Sequence, residues 1–175
     1  MPILEVFGLR PQIGADVFLA PTATLIGDVV LGDEASVWFN SVVRGDVFPI
    51  RIGARTNIQD GTVIHVTGGK ASTTIGSDVT VGHMALLHGC TVGNRCLIGM
   101  GSTLLDGATV GDDCIVAAGS LLPPGAEVPP RSLVLGRPAR RVRDLGDDDL
   151  AFIAEASRLY CEYARAYRTM RESVF

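Results

Sequence analysis

The chain has 175 residues and a mass of 18.4 kDa; 47% of the residues are hydrophobic, 19% are charged, and 21 are glycine. These figures exclude a disordered chain and a charged helical bundle, and the length suits one compact unit with a proper core. A net charge of −4 offers no electrostatic footprint for nucleic acid or an anionic membrane surface, so neither is an expected partner.

No run of about 18 apolar residues is present to span a bilayer, and the opening stretch carries Glu5 and Arg10 rather than a basic flank followed by an apolar segment. A cytoplasmic location is expected. Cys90, Cys96, Cys114 and Cys161 form no CxxC pair, so reduced, mostly buried thiols are expected rather than a zinc knuckle or a redox motif.

From residue 13 onward the chain is organised by a period of six. Ile, Leu or Val recurs at Ile13, Leu19, Leu25, Leu31, Val37 and Val43, then at Ile52, Ile58 and Ile64, then at Ile75, Val81 and Leu87. After one five-residue step the series resumes at Val92, Ile98, Leu104, Val110, Val116, Leu122, Val128 and Val134. Small or β-branched residues such as Ala35, Ser41, Thr62, Ala85, Cys96 and Cys114 stand four positions after most of these, where a tight corner has little room. Glycines such as Gly53, Gly76 and Gly99 follow many of the large residues and are expected to supply permissive dihedrals near a bend. Each hexad therefore predicts one short strand and one turn. Three hexads close a triangular coil, and coils stacked about 4.8 Å apart form parallel sheets. The predicted fold is an all-β parallel β-helix over residues 1–143; resemblance to hexapeptide-repeat proteins implies the left-handed form.

Two interruptions break the period: a step of nine between Val43 and Ile52, and one of eleven between Ile64 and Ile75, where five residues of the segment 65–72 must loop out. Loops on a regular scaffold are where function often sits. After Val134 the prolines end the repeat, and a polar connector, Arg137 to Arg143, leads to a helix over 144–175. Asp147, Asp148 and Asp149 can cap its start. Leu150, Ile153, Ala154, Ser157, Tyr160, Cys161, Ala164 and Tyr167 form a stripe that packs on the prism, with Arg165, Arg168 and Arg171 near the end.

The three histidines fall at informative places in this register. Ile64 and Leu87 are one full turn apart, so His65 and His88, each directly after one of them, share a column one coil apart, a spacing that suits two imidazoles on one metal ion. His83, two residues after Val81, lies around a corner. If all three hold one ion, His83 comes from a second chain, and a cyclic trimer then carries three equivalent interfacial sites. Arg44 continues the His65–His88 column, closed by Ile26 and Leu105; Asp60 stacks beneath His83, with Asp46, Asn57 and Gln59 nearby. For a lone histidine the ordinary reading is a structural one, but all three together at one centre argue for a ligand set. Arg44 and Asp46 read equally as a structural ion pair at a subunit contact.

These residues resemble the γ-class carbonic anhydrases: Arg44-Gly45-Asp46, Asn57-Ile58-Gln59-Asp60, His65, the pair His83 and His88, and Gly136-Arg137-Pro138-Ala139-Arg140 ahead of a tyrosine-bearing helix. The resemblance covers nearly the whole chain. It implies a homotrimer binding Zn²⁺, with Fe²⁺ or Co²⁺ as alternatives, through His65 and His88 of one subunit and His83 of the next. It further implies metal-activated hydroxide attacking CO₂ to give bicarbonate, Gln59 orienting it, and Arg44, Asp46 and Asp60 holding the interface and the ligands. Tyr160 corresponds to the helix tyrosine near the site, with Tyr163 and Tyr167 as neighbours. The acidic residues that pass protons to solvent in that family have no counterpart in Val47-Phe48-Pro49 or Val66-Thr67-Gly68-Gly69-Lys70. Slow, buffer-dependent or absent turnover is the expectation that follows from that departure. The competing readings are a hexapeptide acyltransferase with one histidine as base, a metal-dependent acyl-CoA thioesterase, and a non-catalytic trimeric scaffold.

Overall fold

The structure, a computed structural model, describes residues 2–169. The expected extension of the terminal helix to 175, with Arg171, lies outside the described residues.

All twenty periodic residues align in three columns. One column pairs Leu25, Val43, Ile64, Leu87, Leu104 and Leu122 in succession. A second runs Ile13, Leu31, Ile52, Ile75, Val92, Val110 and Val128. The third runs Leu19, Val37, Ile58, Val81, Ile98, Val116 and Val134. Each coil hands its chain across the first, second and third faces in turn, and every pairing between coils is parallel, which is the hexapeptide-repeat β-solenoid. Column residues in the middle coils, among them Val43, Ile64, Leu87, Ile58 and Val81, are fully buried. Ile13 is 38% exposed because it opens the first coil, with no complete coil beneath it.

The glycines after the column residues act differently from the sequence expectation. Gly53, Gly76 and Gly99 have no left-handed φ; a β-carbon on Gly53 would lie 2.5 Å from the carbonyl carbon of Gly76, and one on Gly99 would lie 2.4 Å from the amide of Ala118. Stacking distance between coils, not bending, requires glycine there. The left-handed φ falls instead on side-chain-bearing corner residues such as Arg55 (54°), Asp78 (59°), Arg95 (51°) and Asp113 (58°). Those four pair along the corner: Arg55 bonds Asp78 at 2.6 and 2.8 Å, and Arg95 bonds Asp113 at 2.6 and 2.9 Å.

The nine-residue step does not form a loop. It lies within one strand, Val42–Ile52, which turns the corner between the first and second faces beside Thr24–Leu31, with a register shift opposite Gly27 and Val29. Asp46 to Pro49, four residues opposite the single Asp28, form that bulge and hold its three surplus residues. The eleven-residue step does loop out, closed by Thr67 and Ala71, whose backbones exchange hydrogen bonds at 3.0 Å. The polar connector is also corrected: Ala139–Asp144 is a strand, antiparallel to Ser132–Gly136, after a turn at Gly136 (φ 112°). It covers the edge that the last coil would otherwise leave unpaired.

Helix α1 spans Asp147–Tyr167 and packs on the third face, burying Ile153, Ser157 and Ala164, while Ala154 of the expected stripe is exposed. Gly146, not an aspartate, is the N-cap; Asp149 accepts its amide at 2.9 Å and is gripped by Arg143 at 2.6 and 2.8 Å. Arg165 reaches Glu34 and Arg168 reaches Asp16, each at 2.7 Å, which fixes the far end of the helix against the lower coils.

Candidate functional site

His65 ends the strand Val63–His65 and His88 ends Leu86–His88, and the two are register partners on the first face. Their rings meet edge to face at 5.1 Å, with His65 Nδ1 3.1 Å from His88 Nε2. The outward nitrogens are both taken by carboxylates: His65 Nε2 lies 3.0 Å from Asp46 Oδ1, and His88 Nδ1 lies 2.6 Å from Asp106 Oδ1. Arg44 holds Asp46 from the other side, Nη1 to Oδ2 at 2.5 Å. Burial pushes the Asp46 carboxyl up, but the bonds from Arg44 and His65 outweigh it and keep the group below the usual carboxylate range. Asp106 is also held low, first by the Thr67 hydroxyl and then by His88.

These bonds decide the tautomers. An ionised carboxylate accepts only, so each imidazole carries its proton on the outward nitrogen and turns a lone pair inward. Two lone pairs facing at 3.1 Å repel unless a shared proton or a metal ion lies between them. The separation is close to the roughly 3.3 Å edge of a tetrahedron with metal–nitrogen bonds of about 2.0–2.1 Å, and the carboxylate behind each imidazole is the usual support of a metal-binding histidine. The pair therefore fits a divalent metal. Among the described residues of one chain no third His, Cys, Asp or Glu joins it to complete a ligand group.

The other candidates stand elsewhere. His83 sits on the corner after Thr80–Val81, its Nδ1 2.9 Å from Asp60 Oδ2, while the Phe39 amide donates to Asp60 Oδ1 at 3.2 Å. Asn57 and Gln59 are buried on the third face: Gln59 Nε2 donates to Asn57 Oδ1 at 3.1 Å, and Asn57 Nδ2 donates to Thr80 Oγ1 at 2.9 Å. Among the described residues the Gln59 side-chain oxygen, Oε1, accepts no hydrogen bond. Tyr160 packs edge to face on Trp38 at 5.2 Å and, with Phe39, Asp60, Tyr163 and Tyr167, lines a cavity of 340 Å³. Burial, and then the Asp60 charge, raise its phenol pKa. The chain thus carries two half-sites: Arg44, Asp46, His65 and His88 on the first face, and His83, Asp60 and Tyr160 around the corner.

Sequence reasoning missed Asp106 and Thr67, which join the first half-site. Counting residues placed Leu105 at the end of the histidine column as an apolar stop. The next residue returns to His88 because it stands on the coil above, where the chain turns at Gly107. Its position two residues after Leu104, matching Val66 and Gly89 in the same column, was the available signal.

Residues 89–124 match the family described as bacterial transferase hexapeptide (six repeats), and residues 72–105 match the hexapeptide repeat of succinyl-transferase. The chain is 46% identical to the carbonic anhydrase of Geobacillus kaustophilus, across 94% of this chain and 90% of that one. It is 50% identical to the probable carbonic anhydrase of Methanocaldococcus jannaschii, across 91% and 100%. It is 40% identical to the mitochondrial gamma carbonic anhydrase 2 of Arabidopsis thaliana across 99% of its own residues, which span 64% of that longer protein. Among solved structures, a hexapeptide transferase family protein from Anaplasma phagocytophilum superposes with a TM-score of 0.90 at 39% identity, across 94% of this chain and 97% of that one. No helix among the described residues is long and apolar enough to cross a membrane. With this identity to named carbonic anhydrases over nearly its whole length, and with its paired histidines on one face of the solenoid, the chain belongs to the gamma carbonic anhydrase family.

Proposed function

We propose that the protein catalyses the reversible hydration of CO₂ to bicarbonate, at a metal site shared between subunits of a homotrimer. The observation that carries this reading is the inward-facing imidazole pair, backed on both sides by carboxylates, in a chain whose near-full-length relatives are named carbonic anhydrases. His65 and His88 would hold the ion and His83 of an adjoining subunit would complete the set. Asp60 Oδ2 lies 2.9 Å from His83 Nδ1, so Nε2 would be the nitrogen offered to the ion. Exposed apolar residues beside both half-sites, Val63 (40%) and Met84 (76%), favour burial against a second copy. When bound, Zn²⁺, or Fe²⁺ or Co²⁺ in its place, supplies a Lewis acid that activates water near neutral pH.

The chain's own groups do the rest. Asp46 and Arg44 orient His65, Asp60 orients His83, and the open Gln59 oxygen, steadied through Asn57, offers an acceptor to a water donor at the completed interface. The four free cysteines agree with a reducing compartment, and we place the protein in the cytoplasm. The test is stopped-flow CO₂ hydration on anaerobically purified protein, with metal content measured on the same sample. One metal per subunit and activity abolished by His83→Ala support the reading. Bound metal with no hydration above background across several buffers would refute it and redirect the work to acyl-thioester hydrolysis or a scaffold role.

A further inference from the structure

Asp106, like Asp46, has both carboxylate oxygens engaged at the first half-site. Its Oδ1 receives His88 Nδ1–H at 2.6 Å, and its Oδ2 receives the Thr67 hydroxyl at 2.6 Å. Thr67 belongs to the loop created by the eleven-residue step, 39 residues away in sequence, so an otherwise irregular insertion delivers a hydroxyl to this one group. Space for the carboxylate is made by Gly89: a β-carbon there would lie 2.4 Å from Asp106 Oδ1, and Gly89 has a left-handed φ of 59°. The strand that follows the loop is tied to the histidines as well, because its first residue, Thr73, donates from Oγ1 to the His65 carbonyl at 2.6 Å and accepts the Gly89 amide at 2.9 Å.

We propose that Asp106, locked by Thr67 over Gly89, is a positioning residue that sets the His88 tautomer and ring orientation, so that Nε2 is presented as a ready metal-binding lone pair. The physical reason is directional. With both carboxylate oxygens committed, Asp106 cannot rotate, and the proton of His88 is confined to Nδ1. Without that acceptor, His88 is free to carry its proton on Nε2, where it would point at His65 and block the ion. The inference rests on the metal reading for its consequence, but the bond from His88 Nδ1–H to Asp106 is a property of the metal-free protein.

The experiment uses the full-length chain, stripped of metal with a chelator, and the variants Asp106→Leu, Asp106→Asn and Thr67→Val. Nitrogen-15 NMR of the imidazoles reports the His88 tautomer, and competition with a chromogenic chelator reports the Zn²⁺ affinity. Asp106→Leu keeps the branched shape and removes the acceptor; it should lose the Nδ1–H form and weaken Zn²⁺ binding by about 10–100-fold. Asp106→Asn keeps a neutral acceptor oxygen and should retain the Nδ1–H form with a smaller loss, and Thr67→Val should fall between wild type and Asp106→Leu. An unchanged tautomer in Asp106→Leu, or Zn²⁺ affinity within about two-fold of wild type despite a changed tautomer, would overturn the proposal. Wild-type protein that binds no Zn²⁺ would instead sink the metal reading, while the tautomer comparison still decides the role of Asp106.

Discussion

A β-carbon added at Gly53 meets backbone of the coil above at 2.5 Å, whereas one added at Gly119, whose φ is 70°, meets nothing within 4 Å. The two glycines therefore resist alanine for different reasons. Gly53→Ala must push two coils apart, which costs about 2–3 kcal/mol, while Gly119→Ala suffers only left-handed strain of about 1 kcal/mol. Urea denaturation of both variants checks the order, and equal losses would contradict the stacking explanation. The cysteines make a second residue-scale prediction. Cys90, Cys96 and Cys114 are buried, and burial pushes the Cys90 thiol up to about 12. A thiol reagent should modify at most Cys161 in the native protein and all four after denaturation; rapid loss of two or more native thiols would contradict this burial. The histidine column was legible because the period places every residue on a face by counting alone. Asp106 was only partly so: the period places it in the column of Val66 and Gly89, but its hold on His88 depends on a looped-out Thr67 that no periodicity marks.

At the scale of elements, the start of α1 hangs on Asp149. Arg143, and then the Gly146 amide, hold its carboxyl at about 2, below the ordinary value near 3.9. A depressed carboxylate contributes stability that is complete above its ordinary value and is lost as pH falls through the lowered one. Melting temperature should therefore decline between about pH 4 and pH 2, and Asp149→Asn should lower it at neutral pH while flattening that decline. Wild type and Asp149→Asn differing by a constant amount from pH 5 to pH 2 would contradict this assignment. Other carboxylates held low, Asp46, Asp106 and Asp112, share the sign, so the difference between the two proteins is the quantity to read. The helix was visible in its spacing, but the strand Ala139–Asp144 was not. Its residues are exposed and basic with no alternating apolar face, and only the open edge of Ser132–Gly136 explains why they pair.

For the whole molecule, one chain presents the proposed ligand set as two half-sites on either side of a corner. His65 and His88 face inward as a pair on one side of a corner, and His83 with Asp60 stands on the other. The absence of acids in Val47-Phe48-Pro49 and Val66-Thr67-Gly68-Gly69-Lys70 leaves the proton of each turnover to solution bases. Hydration rate should rise with imidazole buffer concentration at constant pH and ionic strength; a high rate independent of buffer would contradict this. The most direct measurement mixes two inactive variants. His65→Ala and His83→Ala subunits, unfolded together at equal amounts and refolded, should recover about one quarter of wild-type hydration, because a site with His65 and His88 from one variant and His83 from the other is complete. Each variant refolded alone should stay inactive. Mixed oligomers that contain both variants yet recover no activity, or a His83→Ala protein active on its own, would contradict a site shared between subunits.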